Sequence, residues 1–235
     1  MPTLNATRDL RLLEGLVADL VLFKGLARSR VAQVARAARL ARMGRGTWVA
    51  RRGEPLEGVV AVAKGMVKLA LRGADGAERV LRFVGPGETF GEASVLLGRP
   101  SAVDALTLVD TVLAVIASAS IRSLMASDVR FSRRMAMLLA ERMLVLLAEV
   151  EASELRPAGE RLASYLLTLA QPTAEAGRWT AHLPATKTLV AARLGMKKET
   201  LSRLLHDLAS RRLIEVSRRE ISILDRGRLA EAARR

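Results

Sequence analysis

The chain contains no cysteine. That absence excludes disulfides, thiolate metal sites, iron–sulfur clusters and cysteine nucleophiles. Histidine is almost as scarce: His182 and His206 are the only two. The 235 residues hold no Ser-His-Asp set, no cluster with metal-ligand spacing and no phosphate-cradling glycine loop ahead of a helix. An enzyme is therefore not expected. Glu88 and Glu92 are close enough in sequence to suggest acid–base chemistry, but both sit in a glycine-rich turn that has a structural explanation. No run of 18 apolar residues is free of charge, so no membrane-spanning helix is expected. The first ten residues, Met1 to Leu10, lack the apolar core of a signal peptide. The expected compartment is the cytoplasm.

What is present is positive charge. Lys and Arg number 38 against 24 Asp and Glu, a formal net charge of +14. Between Thr186 and Arg235 there are 13 basic and 6 acidic residues, a surplus of 7, so half of the excess lies in the last fifth of the chain. A general preference for arginine explains part of the total but not its concentration there. A basic stretch of this kind favours a polyanionic partner.

The same stretch carries the clearest pattern. Residues 186–208 read as two short helices with a bend at Gly195. Thr186 is suited to cap the first helix, Leu189, Val190 and Leu194 supply a small core, and glycine can take the left-handed conformation that stops a helix sharply. In the second helix Leu201, Leu204, Leu205 and Leu208 recur at three- and four-residue spacing and share one side. Glu199, Ser202, Arg203 and His206 share another. Arginine pairs with guanine, glutamate accepts from the cytosine amino group, and serine serves several bases. One side to fix the helix and one to enter the major groove is what a helix-turn-helix reader requires. Ile214 to Leu224 then reads as a hairpin with Ser217 to Glu220 at its tip, which makes the unit winged and places Arg218 and Arg219 to meet phosphate.

Upstream the texture differs. The first forty residues read as helical, with Leu16, Leu20, Leu26, Val31, Val34 and Leu40 among basic residues and a break at Phe23 to Leu26. From Gly44 glycines are frequent and separate short β-branched runs: Val59 to Val62, Met66 to Leu69, Arg79 to Phe83, and two more between Ala105 and Ile116. Asp75-Gly76 is a hairpin signal and Gly85 to Glu88 another turn. Such strands predict a sandwich or roll. Helical period returns at about Ile121. Phe131 to Leu155 has no Gly or Pro, and Met135, Leu139, Met143, Leu146 and Val150 form a heptad-like seam. Met137, Leu138, Leu144, Val145 and Leu147 widen it, so this helix must be covered on more than one side, by the roll and by a second copy of itself. Pro157 marks the start of the next helix, which runs over 158–170; Gln171 to Gly177 reads as a loop, and Trp179 to Leu183 as a strand. The expected hinge is Ser153 to Pro157.

Roll, seam helix and winged helix-turn-helix, in that order, resemble the CRP/FNR superfamily of bacterial transcription regulators over nearly the whole chain. Three stretches carry the resemblance: Gly85 to Glu92 (Gly-Pro-Gly-Glu-Thr-Phe-Gly-Glu), the long helix, and Glu199 to Arg203 (Glu-Thr-Leu-Ser-Arg). It implies an α+β fold: a cyclic-nucleotide-binding-like sensor domain with N-terminal helices and β-roll over 1–128, a dimerisation helix over 129–156, and a winged helix-turn-helix over 157–235. It also implies DNA contacts by position. Lys187 falls on a phosphate contact, Glu199, Ser202 and Arg203 on the base-reading positions of the FNR branch, and Lys197 and Lys198 beside them. That branch reads TTGAT-type half-sites in an inverted repeat as a homodimer, with RNA polymerase as a further partner.

For the sensor, the resemblance implies an effector pocket drawn from Phe90, Gly91, Glu92, Ser101, Met135 and Leu139. Cyclic-nucleotide binding needs an arginine for the phosphate where Ser101 stands, with Arg99 two residues away, so cyclic AMP is disfavoured. The C-terminal half is most similar to the cysteine-free, haem-dependent, nitric-oxide-responsive regulators of dissimilatory nitrate respiration, which makes haem a candidate cofactor. Both histidines fall in the DNA-binding half, so no axial ligand is assigned, and another effector, or none, stays open. The alternatives to a DNA-binding regulator are a haem- or gas-binding sensor with secondary DNA contact, or a cyclic-nucleotide-responsive regulator. The charge distribution leads to one measurable outcome. With about six phosphate contacts, the affinity for duplex DNA should fall roughly a thousandfold between about 50 and 200 mM salt in a fluorescence-anisotropy titration; a flat response would remove the electrostatic argument.

Overall fold

The computed structural model describes residues 6–73, 78–173 and 178–233. They pack as two units that divide inside one long helix: the first holds the chain up to Arg72 and Leu81–Leu144, the second holds Val145 onward with a short piece before Leu81.

The first unit opens with α1 (Ala6–Asp19), a single 3-10 turn at Val21–Phe23 and α2 (Arg28–Arg36). The strands follow: β1 (Ala38–Met43), β2 (Trp48–Ala50), β3 (Gly58–Lys64), β4 (Val67–Arg72), β5 (Glu78–Val84), β6 (Thr89–Phe90), β7 (Asp104–Thr107) and β8 (Thr111–Ala117), with a short helix α3 (Glu92–Leu97) after β6. They form two four-stranded sheets, β1-β8-β3-β6 and β2-β7-β4-β5, antiparallel at every pairing described. The apolar run Val59 to Val62 is explained by what lies on each side of β3. Val59 and Ala61 pack against helices, together with Ala114 and Ile116 of β8. Val60 and Val62 face the other way, into the core between the sheets with Val67, Val84 and Leu113. A strand covered on both faces has no polar side to alternate with.

The pairing of β3 with β8 is close. Gly58 lies opposite Ala117, and a Cβ at Gly58 would sit 1.9 Å from the backbone oxygen of Ile116. At the far end of β3, Gly65 has φ of +95° and packs on Thr111. Both positions need glycine for stated steric reasons.

Two helices complete the unit. α4 (Ser118–Ser127) leads into α5 (Val129–Leu155), whose start is capped by Asp128 accepting from the Phe131 amide at 2.9 Å. Phe131 and Met135 are fully buried in the helical core, the Phe131 ring 5.4 Å from that of Phe23. Farther along, Met143, Leu144, Val145, Leu146, Leu147 and Val150 are exposed. The seam is thus split: Met135 is used inside this chain, Leu139 is half-buried, and Met143, Leu146 and Val150 stay open.

The second unit holds α6 (Ala158–Leu169), β9 (Ala170–Pro172), β10 (Trp179–His182), α7 (Lys187–Arg193), α8 (Lys198–Ser210), β11 (Ile214–Ser217), β12 (Glu220–Ile223) and α9 (Arg226–Ala232). The sheet order is β11-β12-β10-β9, which places Pro172 on an edge strand, where its missing N–H is tolerated. Leu162, Leu166, Leu201, Leu205, Leu208, Leu213, Ile214, Ile221 and Leu229 share one core.

Some expectations from sequence are corrected. Leu40 lies on β1, not in a helix: Leu40 packs on the helical core while Arg39 and Arg42 are exposed, and pairing with β8 overrides the helix preference of an Ala/Arg-rich stretch. Gln171 belongs to β9 rather than a loop, because it pairs with Thr180. The helices α3 and α9 leave no periodic signal in the sequence, because both are short. Asp75-Gly76 lies outside the described residues. The close packing at β3 has a consequence: Gly58→Ala should cost at least about 2 kcal/mol, seen as a lower urea midpoint, and an unchanged midpoint would mean that β3 and β8 can part without penalty.

Candidate nucleic-acid interface and sensor site

The helix pair is set by its ends. Thr186 is extended, and its hydroxyl oxygen accepts from the Leu189 amide at 3.4 Å, which caps α7. At the other end Gly195 has φ of +62°; its amide donates to Ala192 O and that of Met196 to Ala191 O at 3.0 Å. This double bond pattern closes α7 and turns the chain into α8. Leu201, Leu205 and Leu208 are buried and Leu204 half-buried, so the opposite side of α8 faces out.

That side carries Glu199, Ser202, Arg203 and His206, all exposed, with Lys197 and Lys198 exposed at its start. Lys187 is half-buried on the first turn of α7. In the wing Ser217 pairs with Glu220, so Arg218 and Arg219 form a two-residue loop, both exposed. Arg218 has φ of +55°, a conformation that costs a non-glycine residue about 1 kcal/mol. The Arg219 carbonyl accepts from Leu183 N at 2.8 Å, which anchors the loop. None of the side chains of Lys187, Lys197, Lys198, Glu199, Ser202, Arg203, Arg218 and Arg219 makes a hydrogen bond or ion pair with a described residue. Seven donors and one carboxylate therefore remain available to a partner. The single tyrosine, Tyr165, lies behind this surface on α6; burial pushes its phenol above the ordinary value, opposed in part by the Arg193 charge.

Phe90 is buried in the core between the sheets, Met135 in the helical core with Leu139 against it. Gly91, with φ of +90°, begins α3. Ser101 is buried and its hydroxyl donates to Val103 O at 2.7 Å. Arg99 is exposed in the loop after α3, not on a strand beside Ser101. Glu92 is 1% exposed and pairs with Arg142 of α5. Arg142 also donates to the carbonyl and hydroxyl oxygens of Thr89 at 2.8 and 3.3 Å, and Arg82 of β5 donates to the same carbonyl. The Oε1 of Glu92 and the Nε of Arg142 are buried without a hydrogen-bond partner among the described residues. Arg142, Arg82 and Thr89 escaped the sequence reading. The available signal was a lone arginine between Leu139 and Met143 on the apolar helix.

These residues do not fit haem. Both histidines are exposed and lie in the second unit, and Met135 is packed among core side chains. The polar cluster under α5 is charged, with two guanidiniums and one carboxylate. Among the described residues no group of His, Asp and Glu is arranged to hold a metal ion.

Comparison with known proteins agrees with both halves. Residues 40–128 match the cyclic nucleotide-binding domain and residues 160–232 the Crp-like helix-turn-helix domain. The chain is 28% identical over 224 residues to a CRP-like cAMP-activated global transcriptional regulator of Mycobacterium tuberculosis, covering 94% of this chain and 100% of that one. It is 30% identical over 168 residues to a protein of Lacticaseibacillus casei described as "Probable transcriptional regulator flp", covering 71% and 75%. The solved structure of FixK2 from Bradyrhizobium japonicum superposes with a TM-score of 0.74 at 25% identity, over 83% of this chain and 96% of that one. The buried pair predicts a stability effect. Arg142→Met leaves Glu92 buried without its cation and should cost about 3 kcal/mol, much of it recovered when Glu92 is also replaced by Met; urea unfolding of the two variants checks this, and a single variant as stable as the parent contradicts it.

Proposed function

The chain belongs to the CRP/FNR family of transcription regulators, and from that premise we propose that it acts as a homodimer reading an FNR-like inverted repeat with TTGAT-type half-sites. The observation that carries this reading is the outward side of α8, where Glu199, Ser202 and Arg203 are exposed and unpartnered while Leu201, Leu205 and Leu208 hold the helix from behind. Arg203 takes the guanine by a two-pronged hydrogen bond, and Glu199 accepts amino protons from bases of the opposite strand. Lys187, Lys197, Lys198, Arg218 and Arg219 set the register by holding phosphates.

The exposed apolar stretch of α5 from Met143 to Val150 supports the twofold partner. Such a dimer places two recognition helices about one DNA turn apart, facing a palindrome. No helix among the described residues is long and apolar enough to cross a membrane. RNA polymerase is the partner that transcription control requires, and the cytoplasm is where the reading places the chain.

The signal enters at the cluster of Glu92, Arg142, Arg82 and Thr89, the charged group buried under α5. Nitric oxide acting through haem is the weaker reading, since both histidines lie outside the first unit and Met135 is packed in its core. A cyclic nucleotide lacks an arginine at Ser101. A haem- or gas-binding protein with only secondary DNA contact has no observation in its favour. The test is Arg203→Ala. That variant should lose discrimination between operator and scrambled duplex, about tenfold to a hundredfold, and keep its fold by circular dichroism. Retained discrimination would overturn the assignment of α8.

A further inference from the structure

We propose that Arg193 and Arg161 are positioning residues for DNA reading: they fasten the bend of the helix-turn-helix to the end of α5, so that the last turns of α5 and the recognition helix move as one piece. The inference rests on α8 being the DNA-reading helix.

Arg193 is the last residue of α7, two positions before the Gly195 bend. It pairs with Glu149 on α5, and the two side chains are only 17% and 23% exposed. Arg161, on the first turn of α6, makes two further links. Its Nε donates to Leu194 O at 3.1 Å and its Nη1 to Arg156 O at 2.7 Å. Those carbonyls are the ones that helices leave unpaired at their C-terminal ends, one just past α7 and one just past α5. A guanidinium has its donors in a rigid plane and can hold two such oxygens at once; an ammonium is a single point on a flexible stem. Close packing backs the clamp. α6 passes α8 closely enough that a methyl at Gly159 would touch Leu204, and Tyr165 is buried beside Arg193.

These links bear on where the chain bends. Pro157 interrupts helical hydrogen bonding, which makes the stretch from Ser153 to Pro157 the expected hinge from sequence. Arg161 ties the C-terminal end of that stretch to the bend, donating to Arg156 O within it and to Leu194 O after α7. The two packed units divide between Leu144 and Val145, so the last turns of α5 pack with the second unit. Glu149, Arg161, Arg193 and the bend all belong to the second packed unit, so the links hold within one unit. In this arrangement the angle at which Arg203 meets a base depends on an ion pair that touches no DNA.

The experiment compares Arg193→Gln, Glu149→Arg, the charge-exchanged double variant Glu149→Arg with Arg193→Glu, and Arg161→Lys. Each is titrated in the full chain against a TTGAT inverted repeat and against a scrambled duplex, with thermal melting to follow the fold. The expected result is a loss of operator affinity of about tenfold for each single variant, little change on scrambled DNA, and restoration toward the parent value in the charge-exchanged pair. A purely structural role would lower melting temperature and both affinities together, with no selective recovery by exchange. Unchanged operator affinity in Arg193→Gln, or an exchanged pair no better than its single components, overturns the proposal. Arg203→Ala runs alongside. If that variant still selects the operator, the reading of α8 has failed; if it does not and Arg193→Gln does, only the clamp has failed.

Discussion

Everything outward-facing in the DNA-binding unit depends on how α8 is held about its own axis. Leu201, Leu205 and Leu208 enter one core with Leu162, Leu166, Leu213 and Ile221. Each helical residue turns the chain by about 100°, so a slip of one position would carry Arg203 toward the core and a leucine toward solvent. Burying a leucine is worth roughly 2 kcal/mol, so three of them fix the rotation far more firmly than any contact on the polar side. The reading side is left without internal partners because the apolar side leaves it no freedom to find them.

The long helix α5 serves two surfaces by dividing its residues along its length. Phe131 and Met135 are consumed by the helical core of the first unit, while Met143 to Val150 remains exposed. Arg142 stands at the change between the two. A charge there is costly to bury, and it is held by Thr89 of β6 and Glu92 at the start of α3. The cluster joins the turn most characteristic of the sensor domain to the helix on which a second copy would pack. A ligand or substitution that altered this pair would act on α5 directly.

Much of this was legible in the sequence because it is local or periodic. Thr186, Gly195 and the leucines of α8 define the helix pair through capping, a left-handed bend and a 3.6-residue period, all within 23 residues. The wing follows from two β-branched runs with Arg218 and Arg219 between them, and β3 from an unbroken apolar run. What escaped is what depends on distant residues. Arg142 meets Glu92 across 50 positions and Arg193 meets Glu149 across 44, and no periodicity connects such pairs. Leu40 reads as helical because alanine and arginine favour helix locally, whereas β8, more than 70 positions on, supplies the pairing that makes β1. Of the pocket residues inferred by position, Phe90 packs in the core between the sheets and Met135 in the helical core.

The central claim, that two copies of α8 read guanine in an inverted repeat, is most directly tested by methylation interference on a duplex carrying two TTGAT half-sites. The account predicts that methylating guanine N7 in either half-site blocks binding, that the two sensitive positions lie about one helical turn apart, and that guanines outside the half-sites have no effect. Interference confined to one half-site, or none at guanine N7, would contradict it.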